Sequence, residues 1–173
     1  GTHPTKGSYF TRGTTRNAYA VYSERGPDYI YNVERLLKKF ATAATLVPQP
    51  VLRPAAKRTR LGVIYYGSTS PAMQEALDVL AGQGIHLDAL RLRAFPFPDS
   101  VRQFIAEHDR VFVVEQNRDA QLRSLLVNEL EIDPAKLQKV LHFDGTPITA
   151  RFITQAITQH VLAAAVAPVE TKV

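Results

Sequence analysis

The sequence predicts an α/β fold in which a parallel sheet is covered by helices on both faces, a three-layer Rossmann-like arrangement. Two observations predict it. Val63-Ile64-Tyr65-Tyr66 and Val111-Phe112-Val113-Val114 are continuous β-branched and aromatic runs, which suit strands buried on both faces. Around them lie segments of roughly a dozen residues with apolar side chains at helical spacing. Strands alternating with such helices require right-handed crossovers and hence a parallel sheet.

The chain has 173 residues, enough for a real core without a covalent staple. It contains no cysteine, which excludes disulfides, thiolate zinc sites and cysteine-held iron–sulfur clusters within it. That absence fits a cytoplasmic protein, and no apolar run has the length of a membrane span or a signal-peptide core. The net charge of +5 is scattered; only Arg53, Lys57, Arg58 and Arg60 cluster, in a proline-containing stretch without interleaved aromatics. A solvated basic connector is the plainer reading, and nucleic-acid binding is disfavoured. The chain opens on Gly-Thr-His-Pro, and Met73 is its one methionine, which is expected of the tail of a longer polypeptide.

Residues 1–26 are polar and aromatic. Tyr9-Phe10-Thr11 and Tyr19-Ala20-Val21-Tyr22 are expected to be extended pieces, pairing across the Gly13-Thr14-Thr15-Arg16 loop. Pro27 and Asp28 open a helix whose Ile30, Val33, Leu36, Leu37, Phe40, Ala41 and Ala44 form one apolar stripe. Val51-Leu52, flanked by prolines, is a brief edge strand. The central strand at 61–66 stops at Gly67; Ser70 caps the next helix and Pro71 sits at its start. That helix carries Met73, Ala76, Leu77 and Leu80 inward and ends at Gly84.

A second strand spans 86–95, with Arg91 and Arg93 on its exposed side. Ser100 and Gln103 have capping-box spacing ahead of Val101, Phe104 and Ile105. The third strand spans 110–116, and Asn117 or Asp119 caps the helix carrying Leu122, Leu125, Leu126 and Leu130. Val140-Leu141-His142-Phe143 is the last strand. The closing helix carries Phe152, Ile153, Ala156, Ile157, Val161 and Ala164.

Ligands of open α/β sheets bind outside the carboxyl ends of the strands. That rule nominates Gly67-Ser68-Thr69, Pro96-Phe97, Glu115-Gln116-Asn117 and Asp144-Gly145-Thr146. Gly67, Ser68 and Thr69 can either hold an anion on helix N–H groups or simply start the helix. Glu115, Gln116, Asn117 and Gln121 can order their own loop or form a subunit contact. His3, His86, His108, His142 and His160 do not fall at metal-ligand spacing, so no metal site and no catalytic residue are expected.

Three stretches carry a resemblance: Thr-His-Pro-Thr-Lys-Gly-Ser-Tyr-Phe-Thr-Arg-Gly-Thr at 2–14; residues 61–70 with Ala94-Phe95-Pro96-Phe97; and Val-Val-Glu-Gln-Asn-Arg-Asp-Ala-Gln at 113–121. In this order they resemble the C-terminal part of the α subunit of the 2-oxoacid:ferredoxin oxidoreductases, most of all the 2-oxoglutarate enzymes. The resemblance implies a transketolase C-terminal-domain-like fold. This is a mostly parallel five-stranded sheet with one antiparallel edge strand, for which Val51-Leu52 is the candidate. It also implies a holoenzyme that decarboxylates a 2-oxoacid on thiamine diphosphate with Mg, passes electrons through iron–sulfur clusters to ferredoxin, and delivers the acyl group to coenzyme A.

The family's Tyr-Pro-Ile-Thr-Pro loop and its Gln-Arg and Gly-Pro-Ser-Thr-Gly segment are missing from this chain. No catalytic residue is therefore carried over, and the chain is expected to bind no cofactor itself. The implied partners are the N-terminal part of the same α subunit, a thiamine diphosphate-binding β subunit and, through the holoenzyme, ferredoxin. Lys6, Thr11 and Arg12 are ligand-supporting candidates beside the family's substrate domain. The expected organisation is an arm and docking helix at 1–47, a basic linker or edge strand at 48–60, a transketolase C-terminal-like domain at 61–165 and a frayed tail at 166–173. The alternative is a stand-alone nucleotide- or phosphate-binding module that uses Gly67 to Ser70.

Overall fold

The computed structural model describes His3, Thr5 and residues 13–166. The chain divides into two compact units, Gly1–Leu46 and Val47–Val173.

In the first unit, strands β1 (Thr15–Arg16) and β2 (Tyr22–Ser23) pair antiparallel ahead of helix α1 (Gly26–Leu46). The hairpin differs from the expected one. Thr15 and Arg16 are strand rather than loop, and Tyr9-Phe10-Thr11 lie outside the described residues. Asn17 makes the turn: its Oδ1 accepts from the N–H groups of Tyr19 (3.0 Å) and Val21 (3.1 Å), an Asx-type closure added to the backbone bonds from Asn17 N–H to the Val21 carbonyl (2.9 Å) and from Ala20 N–H to the Asn17 carbonyl (3.0 Å). Asn32 on α1 then pins the hairpin, its Nδ2 donating to Thr15 Oγ1 (2.7 Å) and to the Arg16 carbonyl (2.6 Å). The apolar stripe of α1 has no buried residue; Ile30, Leu37 and Phe40 are each more than half exposed. A helix of such periodicity buries its stripe only when something large enough lies on it.

The second unit holds a sheet of strands β3 (Val51–Arg53), β4 (Leu61–Tyr66), β5 (Asp88–Leu92), β6 (Arg110–Glu115) and β7 (Leu137–Leu141). Its order is β3-β5-β4-β6-β7, with β3 antiparallel to β5 and the other pairs parallel. Val51-Leu52 is therefore the antiparallel edge strand. Between the strands run α2 (Ser70–Gly82), α3 (Asp99–Glu107) and α4 (Gln121–Leu130), and α5 (Ala150–Val166) follows β7. Two cores result. Val63, Tyr65, Phe112 and Val114 face Met73, Leu80, Ile153 and Ile157 of α2 and α5. Ile64, Leu90, Val111 and Val113 face Phe104, Ile105, Leu126 and Leu130 of α3 and α4. Alternate residues of one continuous apolar run thus feed opposite cores. The fold is three-layer α/β of the transketolase C-terminal type.

Local signals fared unevenly. Gly84 ends α2 at φ +82°, with Ile85 N–H bonded to the Leu80 carbonyl (2.9 Å) and Gly84 N–H to that of Ala81 (3.0 Å), a Schellman closure. The expected caps at Ser70 and Ser100 are not made. A 3-10 turn, Gly67–Thr69, runs directly into α2, so Ser70 is already helical. Ser100 lies within α3, and Gln103 donates to Glu107 (2.8 Å) rather than back to a capping residue. Strand β5 is shorter than 86–95 and buried on both faces. Arg93 is exposed as expected, but Arg91 is only half-exposed and its Nε is enclosed without a hydrogen-bond partner. β7 begins at Leu137 rather than Val140 and leaves His142 and Phe143 outside it.

Gly62 is the smallest residue in the sheet for a reason. A Cβ there would lie 3.0 Å from the Phe104 ring and 3.2 Å from His108. His108 is buried and fixed at both ring nitrogens, Nδ1 on the Phe104 carbonyl (2.6 Å) and Nε2 on Asp88 Oδ2 (3.0 Å). Asp88 in turn accepts from Ala55 N–H (2.7 Å). Neither ring can retreat cheaply, so Gly62→Ala is expected to destabilise the domain by about 1–3 kcal/mol, read as a lower urea midpoint at unchanged slope.

Candidate functional site

The strand order reverses at β4: β5 lies on one side of it and β6 on the other. The carboxyl ends of β4 and β6 therefore meet at a topological switch point, where open α/β sheets bind ligands. β4 delivers Gly67, whose φ of +58° turns the chain into the 3-10 turn; β6 delivers Glu115, Gln116 and Asn117.

The structure joins these nominated groups. Gln116 Nε2 donates to Ser68 Oγ (3.1 Å) and Thr69 Oγ1 (3.2 Å), bridging the two strand ends. Glu115 is fully buried, and both of its oxygens are engaged. Oε2 accepts from Leu122 N–H (2.7 Å) and Asn117 Nδ2 (2.7 Å), and Oε1 accepts from Arg123 N–H (3.1 Å). Its carboxylate thus faces the first turn of α4 rather than a surface. Asn117 Oδ1 takes the N–H groups of Asp119 (3.1 Å) and Gln121 (3.2 Å). Of the two expected caps, Asn117 contributes, whereas Asp119 turns outward to pair with Arg118 (2.8 Å). The cap that spacing does not reveal is Glu115, because it reaches α4 from seven and eight residues away in the chain. Lys6, Thr11 and Arg12 lie outside the described residues.

A cleft of about 450 Å³ opens beside Gly67, between the ends of β4 and β5 and the start of α4. Its walls are Tyr66, Leu92, Phe95, Phe97, Leu122 and Leu125, with Arg93 and Gln121 as its polar members. The strand-end rule finds Phe97 and Gly67, and loop order finds Gln121. Tyr66, Arg93 and Leu125 come together only in three dimensions.

At the end of β7, Asp144 Oδ1 accepts from the N–H and the hydroxyl of Thr146, both at 2.8 Å, and lies 3.4 Å from His142 Nε2. The backbone N–H bond, then the hydroxyl bond, holds the Asp144 carboxyl below the usual aspartate range. Among the described residues no three His, Asp or Glu side chains converge to hold a metal ion, and no helix is long and apolar enough to cross a membrane.

The site is thus the switch-point end of a three-layer α/β domain, with a self-satisfied polar bridge and an apolar cleft beside it. No protein-family model and no curated protein matches the chain. Solved structures do. The 2-oxoglutarate:ferredoxin oxidoreductase from Magnetococcus marinus, determined with 2-oxoglutarate, coenzyme A and succinyl-CoA bound, is similar at a TM-score of 0.77 and 18% identity, over 91% of this chain. This chain spans 28% of that one. A split-gene transketolase, an inactive β4 tetramer, matches at TM-score 0.50 and 19% identity, over 66% of this chain and 41% of its own. The α chain of a probable 2-oxoacid ferredoxin oxidoreductase from Thermoplasma acidophilum matches at TM-score 0.45 and 24% identity, over 66% of this chain and 97% of its own. The first two likenesses establish the fold.

Two outcomes are expected. Glu115→Gln turns an amide NH₂ toward donors that now meet an oxygen, and should cost about 2–3 kcal/mol in urea denaturation, while Asp119→Asn stays within about 0.5 kcal/mol. Asp144, with its folded value depressed, contributes stability that is present above the ordinary aspartate pKa and lost as pH falls through the folded one. Its carboxyl-carbon NMR titration should have a midpoint below about 3.9. Thr146→Val should raise that midpoint part of the way, since the hydroxyl donor is lost and the N–H donor stays.

Proposed function

We propose that this chain is the C-terminal domain of the α subunit of a 2-oxoacid:ferredoxin oxidoreductase, most like the 2-oxoglutarate enzymes. In the holoenzyme it serves assembly and interdomain contacts and supplies no catalytic residue. One observation carries this reading: a fold likeness covering 91% of the chain to an enzyme of that activity, in agreement with three sequence stretches in the same order. The chemistry of the side chains supports it from the other direction. Glu115 and Asn117 are occupied with each other and with α4, and Gln116 with Ser68 and Thr69, as suits a rigid positioning element.

The cofactors of the holoenzyme belong elsewhere in this reading. An iron–sulfur cluster held by cysteines cannot be bound by a chain that has none. Thiamine diphosphate and its Mg, coenzyme A and the 2-oxoacid would be held by the N-terminal part of the α subunit and by the β subunit, with ferredoxin as the electron acceptor. Gln116, Asn117 and Gln121 are the contact residues proposed for that assembly, and Lys6, Thr11 and Arg12 the residues proposed to support an anionic ligand near it. The expected place of action is the cytoplasm.

Affinity purification of the polypeptide from its native source tests the proposal. The expected result is recovery of a thiamine diphosphate-binding subunit with it, and coenzyme A-dependent reduction of ferredoxin by 2-oxoglutarate in the recovered complex but not in the 173-residue chain alone. Recovery of the chain without such a subunit, together with calorimetric binding of nucleotides that is lost in Gly67→Ala and Ser68→Ala, would instead establish a stand-alone phosphate-binding module.

A further inference from the structure

We propose that the cleft beside Gly67 is a binding site for a small hydrophobic carboxylate, whose apolar body lies between Tyr66, Phe95 and Leu125 and whose carboxylate meets Arg93. The inference does not rest on the family reading.

Size and lining come first. A volume of about 450 Å³ falls in the range of small-molecule sites, and its walls are predominantly aromatic and aliphatic. Tyr66 and Phe95 are 41% and 43% exposed, a large apolar area to leave in water at the mouth of a concave surface. The walls are also held in place. Phe95 and Phe97 meet edge to face at 5.2 Å, Tyr66 continues a central strand, and the first turn of α4 is locked by Glu115. Such a preformed cleft loses little order when it is filled.

Charge decides the ligand class. Arg93 is exposed and, among the described residues, has neither a hydrogen-bond nor an ion-pair partner. Arg53, Arg60 and Arg118 are instead each paired with an aspartate. No acidic side chain lines the cleft. The N–H groups opening α4 are already taken by Glu115 and Asn117, so that helix start offers no backbone donors to an anion in the cleft. One guanidinium over an apolar cavity matches one carboxylate on an apolar body, with the Gln121 amide beside it. The several charges of a nucleotide phosphate chain would find one cation. A purely apolar ligand would leave the guanidinium unused.

The test uses 2-naphthoate and its neutral analogue 2-naphthylmethanol, titrated into the whole chain by calorimetry and by amide chemical-shift mapping. Naphthoate should bind and shift the amides of residues 66, 95 and 125. Arg93→Gln should weaken it at least tenfold, with naphthylmethanol binding the wild type as weakly as naphthoate binds the variant. Leu125→Trp, which fills the cleft from a partly exposed position, should abolish binding at an unchanged melting temperature. Equal affinity for acid and alcohol, unchanged affinity in Arg93→Gln, or shifts confined to other residues would overturn the proposal. So would a wild-type dimer in sedimentation that Leu125→Lys dissociates, because a second copy would then fill the cleft. If Leu125→Trp melts early, the Arg93→Gln comparison at an exposed position still decides.

Discussion

A carboxylate buried completely in a protein survives only when every oxygen is met by a donor, and Glu115 satisfies that demand in a way that organises one end of the sheet. Its donors come from the loop that follows its own strand and from the opening turn of α4. The end of β6, the Asn117 turn and α4 consequently behave as one body. Ala120, at a left-handed φ of +53° just before α4, is held in that uncommon conformation by the same set of bonds. Everything at the switch point inherits this rigidity. Gln116 can span to Ser68 and Thr69 because its backbone is fixed, and Leu122 and Leu125 hold their places in the cleft wall because the helix that carries them cannot rotate.

The polar bridge and the apolar cleft divide the switch point between them. Where Gln116 meets the hydroxyls of Ser68 and Thr69, the protein fills its own hydrogen-bonding capacity. Where the loop after β5 passes Tyr66, it leaves aromatic surface and the Arg93 guanidinium, which has no partner among the described residues. The polar residues at this end of the sheet thus serve each other, and the fold that carries them is shared with a 2-oxoglutarate:ferredoxin oxidoreductase and a split-gene transketolase. The first unit makes a different use of its residues. Its hairpin is held by Asn17 and Asn32, single amides standing in for a core, and the apolar stripe of α1 lies exposed.

Much of the fold was legible because it depends on patterns short enough to read along the chain. The runs at 61–66 and 110–115 announce buried strands, the 3.6-residue spacing of Met73, Ala76, Leu77 and Leu80 announces α2, and Gly84 announces its end. Caps were less legible. Ser70 and Ser100 have the right chemistry but became helical themselves, since a 3-10 turn or a proline-led first turn extended each helix backward past them. Arg91 has the look of a surface residue, yet β5 lies between β3 and β4 and part of its side chain is enclosed.

By itself the sequence determined the class of fold, the inward faces of α2 and α3 and most of those of α4 and α5, and the set of strand ends at which a site could lie; Leu125, on the expected stripe of α4, is instead exposed in the cleft wall. All three follow from local periodicity and from the sterics of glycine and proline. Tertiary structure alone decided which strand ends became neighbours, that Glu115 caps α4, and that Tyr66, Arg93, Phe95 and Leu125 share one cleft. These facts depend on strand order. Adjacency in a sheet is set by how its two faces are buried together, and no stretch of chain carries that information on its own.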